Sequence, residues 1–136
     1  MSPKDELPDT EKIGISGPPI ETKEGWLLLY HCVSRRTQPM TYYVAAALLD
    51  LKDPSKIIAR RKVPLLEPET TYELYGQVNN VVFPCGAVVI GEDLFVYYGG
   101  ADSAIGVATM KLSDLVNSLI TWGQLGSELE KIAHLC

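Results

Sequence analysis

Short apolar runs recur along this chain twice in the same order, each closed by a polar or glycine-rich turning point. The first set is Gly25-Trp26-Leu27-Leu28-Leu29-Tyr30-His31 followed by Tyr42 to Asp53; the second is Asp93 to Asp102 followed by Ala104 to Asp114. Runs this short, bounded by turn residues, fit strands buried on both faces rather than one-sided helices. A recurring unit that cannot bury its own apolar faces is expected to stack on its neighbours. Two copies are too few to close such an architecture, so the pattern predicts part of something larger.

The segments between these runs complete the prediction. Residues 1–12, rich in Pro, Asp, Glu and Lys, form an expected flexible lead-in. Gly14 to Ile20 contains Pro18-Pro19, which excludes regular helix and holds the backbone extended. Glu24-Gly25 supplies a turn into the Trp26–Cys32 strand, and the three alanines of the returning strand, Tyr42 to Leu51, would let neighbouring layers approach closely. After the turn Asp53-Pro54-Ser55, Lys56 to Pro64 alternates as an outer strand, with Ile57, Ala59, Arg61 and Val63 sharing a face. Glu69 to Gln77 is polar and is expected over the surface, with Glu67, Glu69 and Glu73 solvated. Val78 to Ile90 opens the second unit, Gly91-Glu92-Asp93 is its hairpin turn, and strands near Leu94–Tyr98 and Ile105–Leu112 follow.

From Ser113 the period changes. Leu115, Leu119, Ile120 and Trp122, then Leu125, Leu129, Ile132 and Leu135, recur at helical spacing, with Ser113 as the expected N-cap and Gly123 or Gly126 as a break. Such a helix would cover an exposed sheet face or edge. The predicted fold is therefore all-β, a partial β-propeller of about two four-stranded blades (13–68 and 78–112) with a C-terminal amphipathic helix over 113–136.

Composition narrows the function. Hydrophobic residues make up 46% of the chain and charged ones 21%, enough for a packed core and against wholesale disorder. A formal charge of −5 argues against a nucleic-acid backbone as partner. No apolar run reaches the length of a membrane span, and the polar N-terminus lacks the apolar core of a signal peptide. Cys32, Cys85 and Cys136 are widely spaced without a CxxC pair, which suits a reducing cytoplasm and gives little support for a metal or a disulfide framework. A cytoplasmic location is expected.

Five residues could carry chemistry. His31 ends a buried strand, where an imidazole can bind an anion or move a proton, or can serve simply as a core histidine bonded to a backbone carbonyl. Arg35 and Arg36 follow it and match phosphate geometry with paired donors, although a solvated loop pair is the alternative. Asp102 follows Tyr97-Tyr98-Gly99-Gly100-Ala101. A carboxylate accepting from two hydroxyls and an aromatic ring such as that of Tyr98 packing on a sugar face are devices of sugar recognition, whereas an ordinary turn aspartate is the plain account. No Asp or Glu sits in a motif that singles it out as a general acid, and GxSxG, P-loop, HExxH and dinucleotide-binding fingerprints are absent.

Six blocks, in order, carry a family resemblance: Gly17-Pro18-Pro19-Ile20, Glu24 to His31, Ala45 to Leu51, Asp53-Pro54-Ser55-Lys56, Asn80-Val81-Val82-Phe83-Pro84-Cys85-Gly86 and Tyr97 to Asp102. Together they resemble the C-terminal part of glycoside hydrolase family 130, the β-mannoside phosphorylases and related β-mannosidases. The resemblance implies a five-bladed propeller in complete members, with the sugar at the central axis. It also implies an inverting reaction in which an aspartate protonates the leaving group and inorganic phosphate attacks the anomeric carbon, with no cofactor. His31 matches the phosphate-holding position of the family's Tyr-His pair, and Asp102 the mannosyl-binding aspartate. The family's catalytic aspartate and the arginines completing its phosphate site fall in N-terminal blades that these 136 residues do not match. Cys32 stands where glycine is usual, Gly100 where alanine is usual, and Asn79 where proline is common. The expectation is a glycosidase-related protein without its own general acid, whose partners are a β-mannoside and either further copies of itself or a chain supplying more blades. The alternative is a non-catalytic carbohydrate-binding or assembly module.

Overall fold

The computed structural model describes residues 10–35 and 40–133, with side chains through residue 125. Thr10–Ile15 (β1), Ile20–Glu21 (β2), Trp26–Ser34 (β3), Thr41–Leu49 (β4) and Ile57–Arg60 (β5) form one antiparallel sheet in the order β1-β3-β4-β5, with β2 also pairing with β3. After a one-turn helix, Thr71–Leu74 (α1), a second antiparallel sheet follows, made of Val82–Ile90 (β6), Asp93–Gly100 (β7) and Ala104–Lys111 (β8) in chain order. Leu112–Ala133 (α2) ends the described chain.

Alternation along β3 explains why the first sheet is buried on both sides. Leu27 and Leu29 point to one face, where they meet Ala46, Leu48 and Ala59 of the same sheet, Leu94 and Val96 of β7, and Leu115, Val116 and Leu119 of α2. Tyr30 and Cys32 point to the other face, among Tyr43, Ala45, Ala47 and Leu49. The three alanines therefore serve both faces, keeping both layers close to the β4 backbone. The two sheets are stacked blades sharing one core, as the repeat predicts.

Several elements differ in detail. The first strand begins at Thr10, inside the segment expected as a lead-in, because Ile13 and Ile15 continue the ladder on β3 opposite Cys32 and Tyr30; residues 1–9 lie outside the described residues. The outer strand does not alternate strictly. Leu48 pairs with Ala59 and Leu49 with Ile57, so Ile58 is an extra residue and a bulge. That bulge sends Ile57 to one core and Ala59 to the other. The second sheet has three strands among the described residues rather than four.

The turn expected over Gly91-Glu92-Asp93 is made by Gly91-Glu92 alone, since Asp93 already pairs with Ile90 as the first residue of β7, with Gly91 at φ +64°. In α2, Ser113 lies within the first turn rather than capping it, and neither Gly123 nor Gly126 breaks the helix. Gly123 is there for packing: a Cβ at that position would stand 3.2 Å from the Ala59 Cβ, so the missing side chain lets α2 lie close on β5. Leu129 and Ile132 fall beyond the described side chains, and Leu135 beyond the described residues.

Candidate functional site

His31 lies on β3 opposite Gly14 of β1. Its ring leans over that glycine so closely that a Cβ on residue 14 would stand 2.3 Å from Cε1. On its other side it meets the Phe83 ring of β6 at a centroid distance of 4.5 Å, with Tyr42 at 6.4 Å from both rings. Nδ1 is out of contact with solvent and has no hydrogen-bond partner among the described residues. Burial holds the imidazole pKa below its ordinary value of 6.5, so the neutral form prevails at pH 7.

Asp102 occupies the tight turn joining β7 to β8, with Ala101 and Asp102 both in the left-handed region at φ 46° and 52°. The Ser103 N–H donates to the Gly100 carbonyl at 3.0 Å across this turn. Ala101 is fully buried while Asp102 is exposed, so the turn turns its carboxylate outward. Asn80 to Phe83 has ties toward both candidates. Ala101 N–H donates to the Val81 carbonyl, Tyr42 N–H donates to the Asn80 carbonyl, and Phe83 pairs with Gly99. Thus one short segment touches the His31 ring through Phe83 and is tied through Val81 to Ala101, the residue before Asp102.

The other two expected residues are placed differently. Arg35 leaves β3 on the surface and forms a paired contact with Glu11 of β1, Nη2 to Oε1 at 2.7 Å and Nε to Oε2 at 2.5 Å. Its donors are turned to that carboxylate rather than to His31; Arg36 lies outside the described residues. Tyr98 is buried, and its hydroxyl donates to Glu73 Oε1 at 2.6 Å and lies 3.1 Å from the Tyr72 hydroxyl. Tyr97, on the opposite face of β7, is the exposed member of the pair.

Glu73 corrects the expectation of a solvated connection: it is 3% exposed. Oε2 accepts the N–H groups of Glu69 and Thr70, each at 2.9 Å, which closes the start of α1. Burial pushes this carboxyl up, but the bonds from Tyr98, Glu69 and Thr70 outweigh it and hold it below 4.5. Burial and the adjacent Glu73 carboxylate push the Tyr98 phenol far above its ordinary 10. The spacing Thr70-x-x-Glu73 is a capping-box signature, and it was the signal available in the sequence for this residue. Nothing comparable marks Phe83 or Tyr42, whose role comes from packing across strands. Among the described residues no cluster of His, Cys, Asp and Glu is arranged to hold a metal, and no helix is long and apolar enough to cross a membrane.

The chain is similar to phosphorylases and glycoside hydrolases that act on mannosides. The model of glycoside hydrolase family 130, described as beta-1,4-mannooligosaccharide phosphorylase, matches residues 2–121. The chain belongs to glycoside hydrolase family 130. It is 54% identical over 111 residues to a beta-1,2-mannobiose phosphorylase of Thermoanaerobacter sp., covering 82% of this chain and 36% of that one. It is 38% identical to a beta-1,4-mannooligosaccharide phosphorylase of Ruminococcus albus, covering 80% and 33%. Among solved structures, the beta-1,2-mannobiose phosphorylase of Listeria innocua in complex with beta-1,2-mannobiose superposes with a TM-score of 0.73 at 44% identity, covering 79% of this chain and 30% of that one. The chain thus spans about a third of the length of these family 130 relatives, and its two sheets form part of their propeller-like fold.

Proposed function

We propose that this chain carries the ligand-holding part of a β-mannoside phosphorylase, with phosphate beside His31 and mannosyl hydroxyls on Asp102. The single observation that supports this most is that one short segment, Val81 to Phe83, meets the His31 ring at Phe83 and is bonded at Val81 to Ala101, the residue before Asp102, in a member of family 130. In this reading the imidazole takes up a proton as phosphate arrives, so that the dianion is met by a positive charge in a half-buried setting. The Asp102 carboxylate accepts from sugar hydroxyls and orients the mannosyl ring toward the phosphate. The general acid that protonates the leaving oxygen is proposed to come from outside these 136 residues. Arg35 joins the phosphate only if it leaves Glu11.

The test is a pair of titrations followed by NMR, with inorganic phosphate and with mannose, on the wild-type chain and on Gly14→Ala and Asp102→Asn variants. Phosphate is expected to raise the His31 pKa, and Gly14→Ala, which displaces the ring, to abolish that rise while leaving mannose binding intact. Asp102→Asn is expected to weaken mannose at least tenfold and leave the phosphate response unchanged. A His31 titration indifferent to phosphate would overturn the phosphate reading. Phosphate-dependent release of mannose 1-phosphate from β-1,2-mannobiose by the chain alone would overturn the assignment of the acid to elsewhere.

One observation favours assembly as a second reading. The face of the second sheet turned away from the shared core carries exposed Val88, Ile90, Tyr97, Ile105 and Val107, with Ile105 87% exposed. The opposite face of that sheet packs on a sheet of the same kind. The occupant proposed for the open face is therefore another blade-like sheet of this family, and the chain then acts as an assembly module as well as a binding one.

A further inference from the structure

Taking a carboxylate out of water is unfavourable unless donors replace the lost solvation. Glu73 has three: the Tyr98 hydroxyl on one oxygen and the Glu69 and Thr70 N–H groups on the other. The phenol reaches it by lying across its cross-strand partner Gly106, where a Cβ would stand 2.5 Å from the Tyr98 Cζ. Tyr98 lies on the strand that runs directly into the Ala101-Asp102 turn.

The segment that begins with Glu73 also wraps this turn. The Glu73 carbonyl accepts the Val81 N–H, the Val81 carbonyl accepts the Ala101 N–H, and the Ala101 carbonyl accepts the Val78 N–H, at 3.0, 3.0 and 3.2 Å. Gln77 N–H donates to the Ser103 hydroxyl, which itself donates to the Ala101 carbonyl. Two glycines permit the closeness: a Cβ on Gly76 would stand 2.2 Å from the Ala101 oxygen, and one on Gly100 2.9 Å from the Tyr72 oxygen. Ala101 and Asp102 are both held in the left-handed region without being glycine, a state that persists only where the surroundings over-determine it.

We infer that Glu73, acting through Tyr98 and α1, is the positioning residue for Asp102. Its charge anchors α1 to β7, α1 and the loop after it clamp the turn, and the clamped turn presents the Asp102 carboxylate outward to sugar hydroxyls. The last step rests on the mannosyl-holding reading of Asp102; the anchoring of the turn does not.

Tyr98→Phe in the full chain removes the hydroxyl and keeps the ring. Amide hydrogen exchange and mannose titration are measured on it alongside the wild type. The variant is expected to retain the fold, with the Leu94 and Val96 amides as protected as before. The Ala101 and Ser103 amides are expected to exchange at least tenfold faster, and mannose to bind at least fivefold more weakly. Glu73→Gln, which keeps the shape and removes the charge, is expected to show the same pattern and stands in if Tyr98→Phe does not fold. Unchanged protection at Ala101 and Ser103 in either folded variant overturns the inference. Loosened amides in a chain whose wild type ignores mannose would support the anchoring and sink only the mannosyl reading of Asp102.

Discussion

At the scale of single residues, the site is governed by what burial does to ionisable groups. His31 is kept neutral by burial beside Phe83, whereas Glu73, more deeply enclosed, is kept charged because its donors outweigh its burial. The sign of the resulting pH dependence follows from the latter. A carboxyl held below its ordinary 4.5 in the folded chain adds stability that is complete above that value and is lost as pH falls through the lower, folded-state value. At pH 7, Glu73→Gln is expected to cost roughly 1.5–3 kcal/mol, the usual worth of hydrogen bonds to a buried charge. Melting temperatures of the two proteins, measured from pH 7 downward, should converge below pH 4.5; a gap that stays constant into acid would show that the charge is not what Tyr98 and α1 hold. Asp102 stands out in the sequence because it closes an apolar run, whereas His31, expected at a strand end, lies within β3, which continues through buried Cys32 and Val33 to Ser34. Polar neighbours make Glu73 look solvated in the sequence, and only its spacing from Thr70 points the other way.

At the scale of elements, small residues decide how closely layers approach. Gly123 lies mid-helix, where glycine normally costs about 1 kcal/mol relative to alanine. The contact with Ala59 explains its presence. Gly123→Leu is expected to push α2 from β5 and to destabilise by about 1–3 kcal/mol, the usual cost of overpacking a close contact. Chemical denaturation measures it, and a variant as stable as the wild type would mean that the α2–β5 contact yields easily. The same reasoning explains why the outer strand does not alternate strictly. Its sequence alternates acceptably, but satisfying two cores, one around Leu48 and one around Leu49, requires the extra residue at Ile58. Periodicity describes one strand against one surface and carries no information about a second surface behind it.

At the scale of the whole molecule, one sheet is enclosed and the other is half open. The first has cores on both faces, while the second leaves Val88, Ile90, Tyr97, Ile105 and Val107 exposed. A contiguous apolar face of this kind favours association. Sedimentation of the wild type is expected to show a concentration-dependent oligomer, and the double variant Ile105→Lys, Val107→Lys a monomer of unchanged fold. A wild type that sediments as a monomer at high concentration would remove the assembly reading.

The sequence by itself determined the all-β repeat, the closing helix and the family, and it offered His31 and Asp102 as candidates. These are local matters: strand period, turn chemistry, and motifs whose residues are contiguous. Tertiary structure alone decided that the His31 ring meets Phe83 and that the residue before Asp102 is bonded to Val81, that Arg35 turns to Glu11, and that Glu73 is an interior anchor rather than a surface charge. Those outcomes depend on which strands become neighbours and how closely their backbones meet, and residues such as Gly14, Gly100 and Gly106 acquire meaning only when the partner across the gap is known.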